Sequence, residues 1–382
     1  MKTFWAILSV AFIMAIVFPL VAIIVFITYL SEARYLFPLV IAAYISLGGF
    51  LVMARFELHR FKKYFFNGAG AVFVVALLFA TPDIYDKTRQ VIGDGSLEVE
   101  EYKPFQKKTK AVALAEPATL KIEDDLPVID GATALYPIYS AFAQAVYPEK
   151  DYAVHGSEVM SNRTGQAYTN LINGTADIIF VLGPSAEQLK QAENSGKELT
   201  LTPIGKEAFV FFVNAKNPVT SLTVDDIKGI YAGEITNWQE VGGENDEIRA
   251  FQRPENSGSQ TALQNFMGTT PIMDPPTENI ASLMGTVIGE VADYKNHNNA
   301  IGYTFRYYST QMVKNNNIRL LHVNGIEPTV DTIRSGDYPI TNEFYAVTAG
   351  SENPHVKAFL EWVLSEQGQE IIEKTGYVPI KK

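Results

Sequence analysis

Three long stretches near the start of the chain carry no charge, and that restricts where they can reside. Between Lys2 and Glu32 lie 29 uncharged residues, between Arg34 and Arg55 another 20, and between Lys63 and Asp83 a further 19. A helix rises about 1.5 Å per residue and a bilayer core is about 30 Å thick, so each stretch can span it. The first is far longer than the ~7–15 apolar residues of a cleaved signal peptide, the alternative that Lys2 and Ala33 allow. Asn67, Gly68 and Gly70 dilute the third, for which a buried or interfacial helix is the alternative. The connecting "RFELHRFKK", residues 55–63, sets Arg55, Arg60, Lys62 and Lys63 against Glu57, and loops of that charge stay in the cytoplasm. Residues 1–82 therefore read as a membrane region with three transmembrane helices. Everything after Asp83 is expected outside the cytoplasm.

That outer part is acidic. Residues 83–382 hold 25 Lys and Arg against 40 Asp and Glu, a net charge of −15. Such a field steers neither nucleic acid nor free anions inward, so nucleic acid is excluded as a partner and any bound anion must be held by local dipoles and placed cations. Cysteine is absent, which removes disulfides, thiolate metal sites, a Cys nucleophile and a lipid-modified Cys anchor. The five histidines, His59, His155, His297, His322 and His355, show no metal-ligand spacing. No Gly-x-Ser-x-Gly elbow or Ser-x-x-Lys pair occurs. Neither a metal, a cofactor nor covalent catalysis is expected.

Residues 83–97 are polar, contain Gly93 and Gly95, and suit a tether. Short apolar runs then alternate with helical patterns. "DIIFV" (177–181), "AFVFFV" (208–213) and "AIGYTF" (300–305) read as buried strands, and Tyr168, Leu171 and Ile172 mark a helix face. The alternation predicts an α/β domain with largely parallel sheets.

Three helix starts in this domain look alike. In "RPENSGSQTALQNF" (253–266), Ser257 and Gln260 fit a capping box ahead of an apolar face of Ala262, Leu263 and Phe266. The free N–H groups of that start, the hydroxyls of Ser257 and Ser259, and nearby Arg253 have the chemistry of an anion site. The plainer alternative is a capped helix whose Arg253 pairs with Glu255. "DGATALYPIYSAF" (130–142) sets Gly131 and Thr133 ahead of Pro137, a residue suited to a first helical turn. "SNRTGQAYTNLING" (161–174) does the same with Thr164 and Gly165. In open α/β sheets such starts gather at the carboxyl ends of strands, where ligands bind.

Together with "NLINGTADIIF", "IGKEAFVFFVNAKNPVTSLTVDDIKGIYAGEITNWQEVGG" and "AIGYTFRYY", these motifs resemble the phosphate-binding proteins of bacterial ABC importers, from about residue 98 to the end. The resemblance implies a two-lobed, type II periplasmic-binding-protein-like α/β fold with mixed sheets, behind the α-helical membrane region. Lobe 1 would take residues 98–205 and 321–382, and lobe 2 residues 206–320. It implies inorganic phosphate or a similar tetrahedral oxyanion as ligand, and an ABC permease with its ATPase as partners. It assigns ligand contacts to Thr133, Ala134, Thr164, Arg253, Ser257, Gly258 and Ser259, with Glu255 as partner of Arg253. Ser185, Arg163 and Arg306 are further candidates, for each of which a structural role is the alternative. One departure stands out: the family's aspartate after the second strand is missing from "VLGPSAEQ", which has no carboxylate before Glu187. A signalling module of the same fold, coupling anion sensing to a membrane partner, is the other function these features admit.

Overall fold

The computed structural model describes residues 2–30, 37–56, 61–89, 99–275 and 299–380, in two compact units, 1–90 and 91–382. The described residues of the first unit form three helices: α1 (Lys2–Leu30), α2 (Phe37–Arg55) and α3 (Lys62–Arg89). Tyr44 Oη donates to the Met14 carbonyl at 3.2 Å and Arg55 Nε to Ser9 Oγ at 3.2 Å, tying α2 to α1. A Cβ at Gly49 would lie 2.7 Å from the Phe65 ring, so the missing side chain lets α2 approach α3. Helix α3 runs through Asp83 into the stretch expected to be a tether. The outer turn at 31–34, Arg60 of the basic loop and the tether from 90 to 97 lie outside the described residues. Among the described residues no helix is long and apolar enough to cross a membrane, so the three spans rest on the uncharged stretches of the sequence.

The second unit opens with β1 (Ile129–Gly131), α4 (Tyr136–Val146), α5 (Arg163–Ile172), β2 (Ile178–Val181), α6 (Ala186–Asn194) and β3 (Thr200–Asn214). It continues with β4 (Ser221–Leu222), α7 (Val224–Ala232), β5 (Arg249–Ala250), α8 (Gly258–Met267), β6 (Ala300–Phe305), β7 (Ile318–Leu320) and β8 (His322–Val323). The chain ends in α9 (Val330–Ser335), β9 (Thr341–Thr348), α10 (Val356–Val363), α11 (Glu366–Thr375) and β10 (Val378–Pro379).

Strand β3 sets the architecture. Its 15 residues are long enough to belong to two half-sheets in succession. Thr200–Ala208 pairs with β9, while Phe209–Val213 pairs with β6, and Phe212–Asn214 with β7. Beyond β9 lie β2 and β1, and beyond β6 lies β5, so two lobes share one crossing strand. The parallel pair β4–β8 keeps His322 and Val323 with the second lobe, and β9 brings the chain back to the first. The expectation of largely parallel sheets needs correction. β1–β2 and β5–β6 are parallel, but β3, the strand that joins the two half-sheets, meets β6, β7, β9 and β10 antiparallel.

Burial explains why the apolar run of β3 does not alternate. Ala208 through Val213 are fully buried, so both faces need apolar side chains. On one face Phe209 and Phe211 meet Tyr303 of β6, with ring centroids 5.4 and 6.2 Å apart. This wall fixes β6 against β3 directly behind the cleft.

Candidate anion-binding site

The site is assembled at three helix starts. At the end of β1, Gly131 lies so close to β2 that a Cβ would sit 2.3 Å from the Phe180 carbonyl oxygen. The chain then makes a 3₁₀ turn, Thr133–Leu135, and enters α4 with Pro137 in its first turn, as the sequence suggests. Asp130, fully buried, joins this turn to the next. Its Oδ1 accepts the N–H of Gly131 and of Asn162, each at 2.8 Å. Its Oδ2 accepts from the side-chain amides of Asn162 (3.0 Å) and Asn170 (2.7 Å). The start of α5 is thereby pinned to β1, with Arg163 in the left-handed region at φ 67°.

At the third start Ser257 caps α8, accepting the Gln260 N–H at 3.2 Å. Only half of the expected capping box forms. Gln260 turns its Oε1 to the Arg253 N–H at 3.0 Å, and the same N–H donates to Tyr303 Oη at 2.9 Å. Tyr303 Oη in turn donates to Gln260 Oε1. Burial pushes the Tyr303 phenol up, so it stays a neutral donor. The Arg253 backbone is therefore held from two sides, by Tyr303 and by the Gln260 that the sequence assigned to a capping box.

One cavity of about 340 Å³ collects these parts, lined by Thr133, Ala134, Arg163, Thr164, Arg253, Ser257, Gly258 and Ser259 among others. Arg253 is 9% exposed, and burial, the largest cause, with the charge of Arg163 adding to it, pushes its guanidinium down to about 10. Burial thus disfavours the charge of Arg253, a cost that a bound anion would offset. Ser259 is 1% exposed, and its Oγ has no hydrogen-bond partner among the described residues. A buried hydroxyl without a partner costs free energy that a ligand oxygen would offset. Among the described residues no cluster of His, Cys, Asp or Glu could hold a metal ion.

The starts of α5 and α8 nearly touch. A Cβ at Gly258 would lie 2.9 Å from Thr164 Oγ1, so only glycine lets the two starts face the same ligand. We expect Gly258→Ala to weaken anion binding by about tenfold through this displacement, on the scale of overpacking effects, in a calorimetric titration with phosphate.

Two further candidates stand elsewhere. Ser185 caps α6, accepting the Gln188 N–H at 3.1 Å, and does not line the cavity. Arg306 does not line it either: Nε donates to Glu207 Oε1 at 3.2 Å and Nη2 donates to the Gly376 carbonyl. Glu207 does line it, buried on β3, with N–H groups of Ala208 and Tyr307 on its carboxylate. Glu255 also lines it, accepting from Gln264 Nε2 at 2.9 Å. Glu207 and Glu255 therefore line the cavity, and neither comes from the segment after β2.

Residues 123–367 match the sequence model of the PBP superfamily domain. Among curated relatives, the phosphate-binding protein PstS of Borreliella burgdorferi is 29% identical over 217 residues, covering 55% of this chain and 76% of that protein. PstS of Bacillus subtilis is 25% identical over 256 residues, covering 66% and 80% respectively. Among solved structures, a putative phosphate ABC transporter substrate-binding protein from Clostridium perfringens with bound phosphate is 25% identical. It aligns with a TM-score of 0.51 over 68% of this chain and 100% of that one.

Proposed function

The chain belongs to the PBP superfamily, and on that premise we propose that it binds inorganic phosphate between its lobes and delivers it to an ABC permease served by an ATPase. The observation that carries this reading is the chamber itself: a buried Arg253 and an unpartnered Ser259 Oγ beside the starts of α5 and α8, whose residues line it. The names of the relatives, phosphate-binding proteins among them, support the same ligand. Thr133 and the Ala134 N–H supply donors from the first lobe with Thr164. Arg253, Ser257, Ser259 and the Gly258 N–H supply them from the second. Each bond to a charged oxyanion contributes about 1.5–3 kcal/mol, and lobe closure brings both sets to bear at once. No covalent step is involved.

In this reading residues 1–82 hold the receptor to the cell membrane as a multi-pass region, with the binding unit outside the cytoplasm. A signalling role is the second reading, favoured by three uncharged stretches where a receptor needs a single anchor. Cross-linking in intact membranes separates the two. Capture of a permease, together with phosphate uptake that fails when the chain is removed, supports import. Capture of a kinase or another receptor, with uptake unchanged, rejects it.

A further inference from the structure

Two hydrogen bonds cross the cleft beside the oxyanion donors. Ser185 and Gln188 begin α6 on the first lobe; Asn256 lies on the second, immediately before the Ser257 cap of α8. Ser185 Oγ donates to Asn256 Oδ1 at 2.7 Å, and Gln188 Nε2 donates to the Asn256 carbonyl at 3.3 Å. The first-lobe side of this contact is itself braced. Ser185 Oγ accepts the Gln188 N–H at 3.1 Å and Gln188 Oε1 accepts the Ser185 N–H at 2.9 Å.

Asn256 has φ 64°, a left-handed conformation that asparagine adopts more readily than most residues. That conformation turns its side chain to Ser185 and its carbonyl to Gln188. A Cβ at Gly165 would lie 3.6 Å from the same carbonyl oxygen, so Asn256 also sits against the start of α5. The residue is in contact with one lobe while its chain neighbour caps the helix that supplies Ser257, Gly258 and Ser259.

From this arrangement we propose that Asn256 and Ser185 form a latch between the lobes, positioning the α8 donors over the α5 start and slowing release of the bound anion. The proposal rests on the phosphate-binding reading above. A latch formed after ligand entry acts on dissociation and leaves association unchanged. A cap or turn residue with a merely structural role would change unfolding instead.

The test uses the full chain loaded with radiolabelled phosphate and chased with excess unlabelled phosphate. Glycine keeps the positive φ without strain, so Asn256→Gly removes the side-chain bond and leaves the loop able to fold. Loss of one ordinary hydrogen bond predicts about fivefold faster release for Asn256→Gly, and at least that for Ser185→Ala, which also removes the α6 cap that braces Gln188. Because both variants remove the Ser185–Asn256 bond, the double variant is expected to release no faster than Ser185→Ala alone. Association rates should stay within about twofold, and the ligand-free unfolding midpoint of Asn256→Gly should match the parent. Parent-like release from Asn256→Gly, or effects that multiply in the double variant, overturns the latch alone. A parent chain that retains no phosphate overturns the latch and the phosphate reading together.

Discussion

Replacing Arg253 with alanine is expected to weaken phosphate binding by about 2–5 kcal/mol, roughly 30-fold to several thousandfold, in a calorimetric titration of the full chain. The size follows from burial. Arg253 is 9% exposed, and desolvation already pushes its guanidinium down to about 10, so bound anion and cation neutralise each other in a poorly solvated chamber. Without it the anion would keep hydroxyls, N–H groups and Arg163 as donors, in a cavity that Glu207 and Glu255 also line. Arg253→Lys should fall between, because it keeps the charge but loses the planar, multi-donor fork. Affinity within about twofold of the parent in Arg253→Ala would reject the site assignment.

Arg306→Ala is expected to act on stability. It leaves Glu207 buried without its cation, a change that destabilises by about 3–5 kcal/mol, measurable by denaturant unfolding. Phosphate affinity of the folded variant should fall as well, because Glu207 lines the cavity and its carboxylate would face the anion without its cation. The pH dependence has a definite sign. Burial pushes the Glu207 carboxyl above its ordinary value of 4.5, against the opposing pull of Arg306 and two N–H groups. A carboxyl raised in the folded state binds more protons there than in the unfolded chain, so its contribution to stability falls as pH rises from about 4.5 through the folded value. Removing Arg306 takes away one of the opposing pulls and enlarges the shift. The deficit of Arg306→Ala should therefore shrink as the pH is lowered toward 4.5. A deficit that grows on acidification would contradict this account of the pair.

What the sequence disclosed was local. Pro137 marks the first turn of α4, Ser257 caps α8, and the run 300–305 is a strand with the same ends in the structure. Such features depend on neighbours along the chain, which propensity and capping rules describe. The residues that brace the site were not legible, because their partners are remote. Asp130 serves α5 from 32 and 40 positions away. Tyr303 holds the Arg253 N–H across 50 positions, and Glu207 meets Arg306 across 99. Ser185 shows the limit from the other side. Its hydroxyl suggested a ligand contact, whereas its position makes it a helix cap joined to Asn256, 71 positions on. The missing aspartate after β2 was legible; that Glu207 and Glu255 line the cavity instead could be seen only once β3 and the α8 loop were placed around it.

The most direct measurement is a calorimetric titration of the full chain with phosphate, sulfate and molybdate in turn. The account predicts saturable binding of phosphate at a single site, abolished or severely weakened by Arg253→Ala. No heat from any of the three oxyanions, with the chain folded, would contradict it.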